Sequence, residues 1–448
     1  MQKGFKFDLN YCTGCQACTI ACIIENNLPY QKSWRRIFTF NERHYPRLPL
    51  FHLSMACNHC IDPACLKYCP ALAYNKNDET GAVTINTDLC IGCKYCSWVC
   101  PYDAPKFNDR LGIMEKCTFC NTRLEKNLKP ACVSLCPTGA LDLIDFTNSP
   151  AEFEIPGFTQ SELKPAIKLI PLSAEQQMPE SSISPIKDSY IKLLTAAREN
   201  TENKISLKIE WTLAAFTLIA SILAAWFASA VITEININPY LFTAIGSAAL
   251  GLTTIHLGKR TLAYRAILNW KNSWLSREII FYTGFLLMSI IYFSTGNKYE
   301  ILGWLSVLTA FLCLFSIDKL YQVIPRTKPV KVHSAEVTLT GIFLTGVFIG
   351  NVAAFTFIGL FKAALYIYRK INSGRTNAGS VFTIIIRLAL TYIIPCLLFL
   401  IDFTGLLTWG IISIIAGEII DRIEFYSELE IVTPQKQIML DLKSRLEY

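Results

Sequence analysis

The pattern of polar and apolar positions divides the chain near residue 206. From Trp211 onward apolar residues come in long runs: Trp211–Ile232, Tyr240–Leu257, Ile279–Phe293, Ile301–Ile317, Val337–Ile371, Val381–Ile401 and Leu406 to about Ile420. A helix rises about 1.5 Å per residue, so ~20 apolar residues cross a hydrocarbon layer about 30 Å thick. The runs read as transmembrane helices. Val337–Ile371 is too long for one upright span and too short for two with a turn. It is either one long helix with an extension or a span broken near Gly350-Asn351, giving seven spans or eight.

Before the divide the pattern is different. Residues 5–11 (Phe-Lys-Phe-Asp-Leu-Asn-Tyr) alternate as a half-buried strand does, and Trp34–Phe40 reads as another strand. Ala73–Ile85, centred on Asp78-Glu79-Thr80-Gly81, reads as a hairpin. Between 147 and 206 Pro, Ser, Glu and Lys predominate, with no period beyond a short helix at Ser189–Asn200. That stretch reads as a linker or wrapping segment. The expected organisation is a cysteine-rich domain (1–146), the linker (147–206), a membrane bundle (207–426) and a tail (427–448).

Charge adds an orientation. Lys and Arg exceed Asp and Glu by 42 to 35. Lys259, Arg260, Arg265, Lys271 and Arg277 lie between the second and third runs, and Lys319, Arg326, Lys328 and Lys331 between the fourth and fifth. The connection Thr233–Pro239 has neither Lys nor Arg. The positive-inside rule therefore puts both basic loops and the N-terminal domain on the cytoplasmic face of a cytoplasmic membrane. No nucleic-acid motif accompanies the charge. Charges inside the runs are sparse; Arg387 stands out as a snorkelling residue, a helix contact or a cavity lining.

Cysteines supply the chemistry. Sixteen of eighteen fall in four groups: Cys12, Cys15, Cys18, Cys22; Cys57, Cys60, Cys65, Cys69; Cys90, Cys93, Cys96, Cys100; and Cys117, Cys120, Cys132, Cys136. The first and third have the x2-x2-x3 spacing of bacterial ferredoxins, and Pro follows the last Cys of the other three groups, the first having Ile23 there. Structural zinc uses two separated Cys pairs instead, so the spacing predicts four [4Fe–4S] clusters. The fourth Cys of one run ligates another run's cluster, and spacing leaves the pairing of runs open. Met1–Asn10 has no apolar leader and no twin-arginine pair, which favours assembly in the cytoplasm over disulfides. His59 reads as tuning a cluster, His44 and His52 as ordinary domain residues, and Cys313 and Cys396 as small apolar ones. The fold class expected is an α+β duplicated bacterial-ferredoxin-like iron–sulfur domain followed by an all-α polytopic transmembrane bundle of seven or eight spans.

The stretches Cys57-Asn-His-Cys60-Ile-Asp-Pro-Ala-Cys65, Cys90-Ile-Gly-Cys93-Lys-Tyr-Cys96, Cys100-Pro-Tyr-Asp-Ala-Pro and Pro130-Ala-Cys132-Val-Ser-Leu-Cys136-Pro resemble one family over residues 5–145. It is the four-cluster electron-transfer subunit of dimethyl sulfoxide reductase-type molybdenum enzymes. The resemblance implies that the first group pairs with the fourth and the second with the third. The ligand sets would be Cys12/Cys15/Cys18/Cys136, Cys117/Cys120/Cys132/Cys22, Cys57/Cys60/Cys65/Cys100 and Cys90/Cys93/Cys96/Cys69, the last nearest the membrane. Related nitrate reductase subunits carry Trp at the position of Cys93 and a three-iron cluster; Cys93 implies four irons here.

The stretch His256-Leu-Gly-Lys-Arg260-Thr-Leu-Ala-Tyr-Arg265, with Ser273-Trp-Leu-Ser-Arg277-Glu278 and the closing Gly417–Tyr426, is similar to the membrane anchor of the same family, here fused to the cluster domain. That resemblance implies menaquinol oxidation. Quinol gives up two protons with its two electrons, so His256 is expected to accept a proton and Glu278 to relay it. Arg260, Arg265 and Arg277 would steady the quinol oxygen, and Trp274 would cover the ring. The plain alternative is that these residues only anchor the loop at the headgroups. His256 and His333 are the only histidines of this half and stand at run ends, so no haem is expected. The chain thus reads as a non-terminal subunit of a quinol-dependent oxidoreductase. It would pass electrons to a molybdopterin-containing catalytic subunit, with lipid and the quinol pool as further partners. Electron flow from a donor to quinone, an ion-translocating complex and a membrane-tethered iron–sulfur sensor are the other readings.

Overall fold

The computed structural model describes residues 1–30, 32–42, 48–146, 163–173, 205–325, 332–373, 378–400, 406–429, 431 and 433–447. His44, Arg326, Lys328, Lys331 and the helix expected at 189–200 lie outside them. The chain forms two compact units, Met1–Lys204 with Ile431–Tyr448, and Ile205–Glu430.

In the first unit the strand expected at 5–11 runs from Lys3 to Asp8 (β1) and is the middle of a three-stranded sheet. Further elements follow in chain order: α1 Ala17–Glu25, β2 Arg36–Phe40, β3 Phe51–Met55, α2 Ala64–Lys67, β4 Tyr74–Lys76, β5 Val83–Ile85, α3 Tyr95–Trp98, β6 Lys106–Asn108, β7 Ile113–Glu115, α4 Asn121–Leu124, α5 Ala131–Ser134, β8 Leu141–Asp145 and β9 Ile167–Ile170. β8 pairs antiparallel with β1, setting Leu143 opposite Phe5, and β9 pairs parallel on the other side, setting Ile167 opposite Phe5. Phe5 and Phe7 are buried by alternation with Lys6, and the core they enter includes Leu141, Ile167 and Leu169. β9 lies inside the stretch read as a linker. Four residues of alternation in a Pro- and Ser-rich segment are too few to register as a strand until β1 supplies the ladder.

Two hairpins close in the same way. In β4–β5 the Asn77 carboxamide accepts from the N–H groups of Glu79 and Thr80, and Gly81 N–H donates to the Asn77 carbonyl. In β6–β7 Asn108 does the same for Arg110, Leu111 and Gly112. Asn forms such side-chain turns readily, and Gly81 and Gly112 carry the positive φ that ends them. The second hairpin was not expected from the pattern.

Among the described residues the regular elements of the second unit are all helical: α6 Leu207–Thr233, α7 Pro239–Ile255, a 3-10 turn Arg260–Ile267, α8 Trp274–Ser294, α9 Glu300–Gln322, α10 Val337–Ile349, α11 Val352–Ser373, α12 Ala378–Leu388, a π-turn Ala389–Ile393, α13 Ile394–Leu400 and α14 Leu406–Glu428. Five helical stretches are long and apolar enough to cross a membrane, and six if α7 and the 3-10 turn, bent by 106°, are one broken span. The fifth run is broken, as one of the two alternatives had it. Gly350 takes φ 74° after α10, and the Asn351 side chain accepts from Ala354 N–H to start α11. Bulky apolar side chains such as Trp304, Phe357 and Leu360 face outward, as lipid-facing positions do. With the apolar spans, they mark a membrane protein.

The last helix, α15 Pro434–Glu447, belongs to the first unit. Thr433 and Pro434 start it in the usual way, with Thr433 Oγ1 accepting from Lys436 N–H. Ile438 and Leu442, one turn apart, are buried in the same core as Phe5 and Phe7.

Candidate functional site

The first Cys-x-x-Cys of each of the four groups turns alike. The residue before the second Cys has positive φ in each: Gly14 (70°), His59 (43°), Gly92 (69°) and Phe119 (62°). A left-handed residue there curls the backbone so that successive N–H groups face inward, making a nest for an anionic core. Glycine adopts this without cost; His59 and Phe119 do not, and their rings stack with centroids 4.4 Å apart. Val83 N–H donates to His59 Nδ1 at 3.0 Å. Burial first, then the Lys116 and Arg35 charges, hold the His59 pKa well below the ordinary imidazole value. This ring shapes two loops. Backbone N–H groups also point at sulfur, from Phe119 to Cys117 (3.3 Å), Leu141 to Cys136 (3.4 Å) and Met114 to Cys90 (3.5 Å).

Electrostatic proximity sorts the thiols into sets. Cys12 feels Cys15, Cys18 and Cys136; Cys120 feels Cys132 and Cys22, as Cys117 does. Cys60 feels Cys57, Cys65 and Cys100, and Cys96 feels Cys93, Cys69 and Cys90. Burial, reinforced by the neighbouring sulfurs, pushes the Cys60, Cys96 and Cys117 thiols up. Thiolates packed so closely need positive charge among them, which the iron of a cluster supplies. Among the described residues no three Cys, His, Asp or Glu side chains converge on a single ion-sized point. Cys57, Cys60, Cys65 and Cys100 instead line one cavity, with Lys116 in its wall. The donor set and its enclosure fit a cluster.

Arg35 and Lys116, both buried, and Tyr74, half-buried, stand between sets. Arg35 feels Cys18 of one set and Cys22, Cys117 and Cys132 of the next. Lys116 lies with Nζ 3.5 Å from Cys57 Sγ and also feels Cys65 and Cys117. Tyr74 feels Cys65 of that set and Cys69 and Cys96 of the last. These links arrange the sets in one line: that of Cys12, that of Cys117, that of Cys57 and that of Cys90. Sequence reasoning missed all three, because nothing local marks a lone Arg, Lys or Tyr as lying between cysteine groups.

Curled cysteine loops beside paired hairpins, in a chain with membrane helices, define an iron–sulfur electron-transfer protein of the membrane. A family model described as a 4Fe-4S dicluster domain matches residues 49–146. The B component of the anaerobic dimethyl sulfoxide reductase of Haemophilus influenzae is 41% identical over 150 residues, covering 32% of this chain and 73% of that protein. Its counterpart from Escherichia coli K12 is 42% identical over 149 residues, with 32% and 72% covered. The B component of the sulfite dehydrogenase of Allochromatium vinosum is 36% identical over 161 residues, with 31% and 67% covered. The protein belongs, through its N-terminal unit, to the iron–sulfur subunits of the dimethyl sulfoxide reductase family; the helical unit reads as a fused anchor.

The residues expected around quinol are placed unevenly. His256 ends α7 and is half-buried. Arg260 donates to the Ile255 carbonyl (3.2 Å), and Arg277 donates to the carbonyls of Trp270 (2.9 Å) and Lys271 (2.6 Å) while its guanidinium lies 4.2 Å from the Trp274 ring centroid. Arg260 and Arg277 thus brace the turn into α8; Arg265 is half-buried within it. Glu278 is buried and feels Arg422 of α14. Tyr321 and Tyr426, whose hydroxyls are hydrogen-bonded to each other, feel Glu278 in turn.

The sparse mid-span charges prove to be gathered. Lys362, Arg369 and Lys370 of α11 and Arg387 of α12 meet Glu418, Asp421, Glu424 and Glu428 of α14. Arg387 is therefore a buried helix contact, its Nη2 3.0 Å from Asp421. The signal was present as helical spacing: 418, 421, 424 and 428 share one face, as do 362, 369 and 370.

Proposed function

We propose that this chain takes electrons from membrane quinol and passes them singly through four [4Fe–4S] clusters to a molybdopterin-containing catalytic subunit. The observation that carries the reading is the single line of four thiol sets joined by Arg35, Lys116 and Tyr74. When bound, the clusters supply one-electron carriers. The chain's own part is to hold them with Cys12, Cys15, Cys18 and Cys136; Cys117, Cys120, Cys132 and Cys22; Cys57, Cys60, Cys65 and Cys100; and Cys90, Cys93, Cys96 and Cys69. At the quinol end His256 accepts a proton and Glu278, buried beside Arg422, takes the second. Trp274 and Arg265 frame the entrance. The same line serves flow from a donor to quinone. By their names, the relatives act on dimethyl sulfoxide, on sulfite and, for the B component of the Salmonella typhimurium tetrathionate reductase, on tetrathionate. The class of terminal substrate here is of that kind.

The basic loops favour the cytoplasmic side for the first unit. The test is purification from native membranes with identification of the large subunit that accompanies the chain. Menaquinol-driven cluster reduction in that complex falls ~100-fold in His256→Ala, with cluster spectra unchanged. Unchanged reduction moves the quinol site elsewhere, and a complex with fewer than four clusters by iron count and spectroscopy sinks the wire.

A further inference from the structure

A charge taken out of water is costly unless an opposite charge lies beside it, and a buried cation that meets no carboxylate must be balanced some other way. Arg35, the residue before β2, is such a cation. It is 2% exposed, and its side chain is fixed on three sides. Nη1 donates to Ser54 Oγ at 3.1 Å and to the Ser54 carbonyl at 3.4 Å. The guanidinium lies over the Phe5 ring, 4.4 Å from its centroid. Its backbone is tied toward α1, where Ser33 Oγ accepts from Arg35 N–H at 3.2 Å and lies 3.5 Å from the Thr19 carbonyl. The remaining edge, Nε and Nη2, is buried with no protein hydrogen-bond partner among the described residues. A guanidinium presents its donors in a rigid plane, so an edge held open in this way needs an acceptor.

The groups that hold Arg35 belong to two ligand sets. Ser54 Oγ, which accepts from Nη1, lies 3.4 Å from Cys18 Sγ of the Cys12 set. Phe5 meets Phe119 edge to face with centroids 4.9 Å apart, and Phe119 stands between Cys117 and Cys120 of the next set. Thr19 sits between Cys18 and Cys22, which are about one turn apart on α1 and serve different sets in the pairing above. The sulfurs of Cys132, Cys18, Cys117 and Cys22 all act on the guanidinium. One rigid charge is thus braced against both sets at once.

Reduction adds one electron to a cluster and takes up no proton, so a fixed cation nearby favours the reduced form and raises the reduction potential. Burial leaves little solvent to screen the effect. We propose that Arg35 is a charge shared by two clusters, those of the Cys12 and Cys117 sets, and that it raises both potentials together while leaving the other two nearly unmoved. The proposal rests on the four-cluster reading. Electrons that enter the line at the Cys90 set then find the two clusters of the opposite end easier to reduce, which favours flow toward that end.

The test is a redox titration of the complex purified from native membranes, with dithionite as electron donor and electron paramagnetic resonance as readout. The wild type gives four midpoints. Arg35→Met lowers two of them, each by about tenfold or more in the ratio of reduced to oxidised cluster at fixed potential (about 59 mV for one electron), and leaves the others within about threefold. Arg35→Lys keeps the charge and holds all four within about threefold. If Arg35→Met assembles fewer clusters, Arg35→Gln removes the charge with an amide still able to meet Ser54. A measurement on the wild type needs no variant: arginine with heavy nitrogen in its guanidinium group should couple magnetically to two reduced clusters in pulsed spectra. Any other pattern of midpoints in a neutral variant with four clusters, a Lys variant that falls as far as the Met variant, or absence of the nitrogen coupling overturns the shared charge and leaves Arg35 a packing residue. A wild type with fewer than four clusters sinks the four-cluster reading instead, before any variant is compared.

Discussion

Both units bury cations, and they neutralise them by opposite means. Arg35 and Lys116 of the first unit are almost inaccessible, yet among the described residues neither meets a carboxylate. Arg35 lies 3.1 Å from Ser54 Oγ and over the Phe5 ring, and Lys116 meets Cys57 and the carbonyls of Val83 and Cys117. Lys362, Arg369 and Arg387 of the second unit each meet Asp or Glu. An uncompensated buried charge costs several kcal/mol. The second unit therefore supplies its counter-charges as Asp and Glu, and the first as cysteines, which carry their negative charge only as the thiolate ligands of a bound cluster.

The largest expected break in this comparison is iron withdrawal. Protein made under iron limitation should lose protease resistance in residues 1–146 while the helices of the second unit survive, because cofactor binding there is folding free energy on the order of 10 kcal/mol. Equal sensitivity of the two units would refute the asymmetry. Next is Asp421→Asn, which leaves Arg369 and Arg387 facing a neutral amide and should cost about 3–5 kcal/mol, read as a lower thermal midpoint in detergent. Replacing the pair with Arg387→Met and Asp421→Leu should recover much of it. Lys116→Met comes third. Removing one charge several Å away at an effective dielectric near 20 lowers the midpoint potential of the nearest cluster by roughly 100 mV in a spectroscopic redox titration. A potential that does not move would reduce Lys116 to a packing role.

The smallest effect concerns His333, in the segment before α10. Burial first, then Arg369, lowers its pKa from 6.5 to about 4. A depressed histidine binds its proton more readily when unfolded, so its contribution to stability is present above pH 6.5 and is lost as pH falls toward 4. The thermal midpoint should drop across that window, and His333→Asn should flatten the drop. A variant that keeps the full slope would assign it to other groups.

What the sequence made legible follows from how local each signal is. The cysteine groups, β1 and the first hairpin are patterns within a dozen residues, and they could be read directly. β9 and α15 could not, because each acquires its meaning from β1 or its core, far away along the chain. The charges of α11, α12 and α14 look isolated in three separate runs and become a row only by packing. The break at Gly350-Asn351 stood as one of two alternatives, since a glycine ends a helix only if the chain has somewhere else to go. Arg260 and Arg277, expected at the quinol, also meet backbone carbonyls, a contact no residue pattern announces.

α15 sets a condition on biosynthesis. Ile438 and Leu442 share a core with Phe5, although every apolar run of the chain lies between them. A nascent chain has passed every apolar run to the insertion machinery before the cysteine-rich fold can close. Closure of the cysteine-rich fold thereby waits for synthesis of the whole membrane unit, and a chain cut short anywhere in that unit leaves an open hydrophobic core for proteases to find.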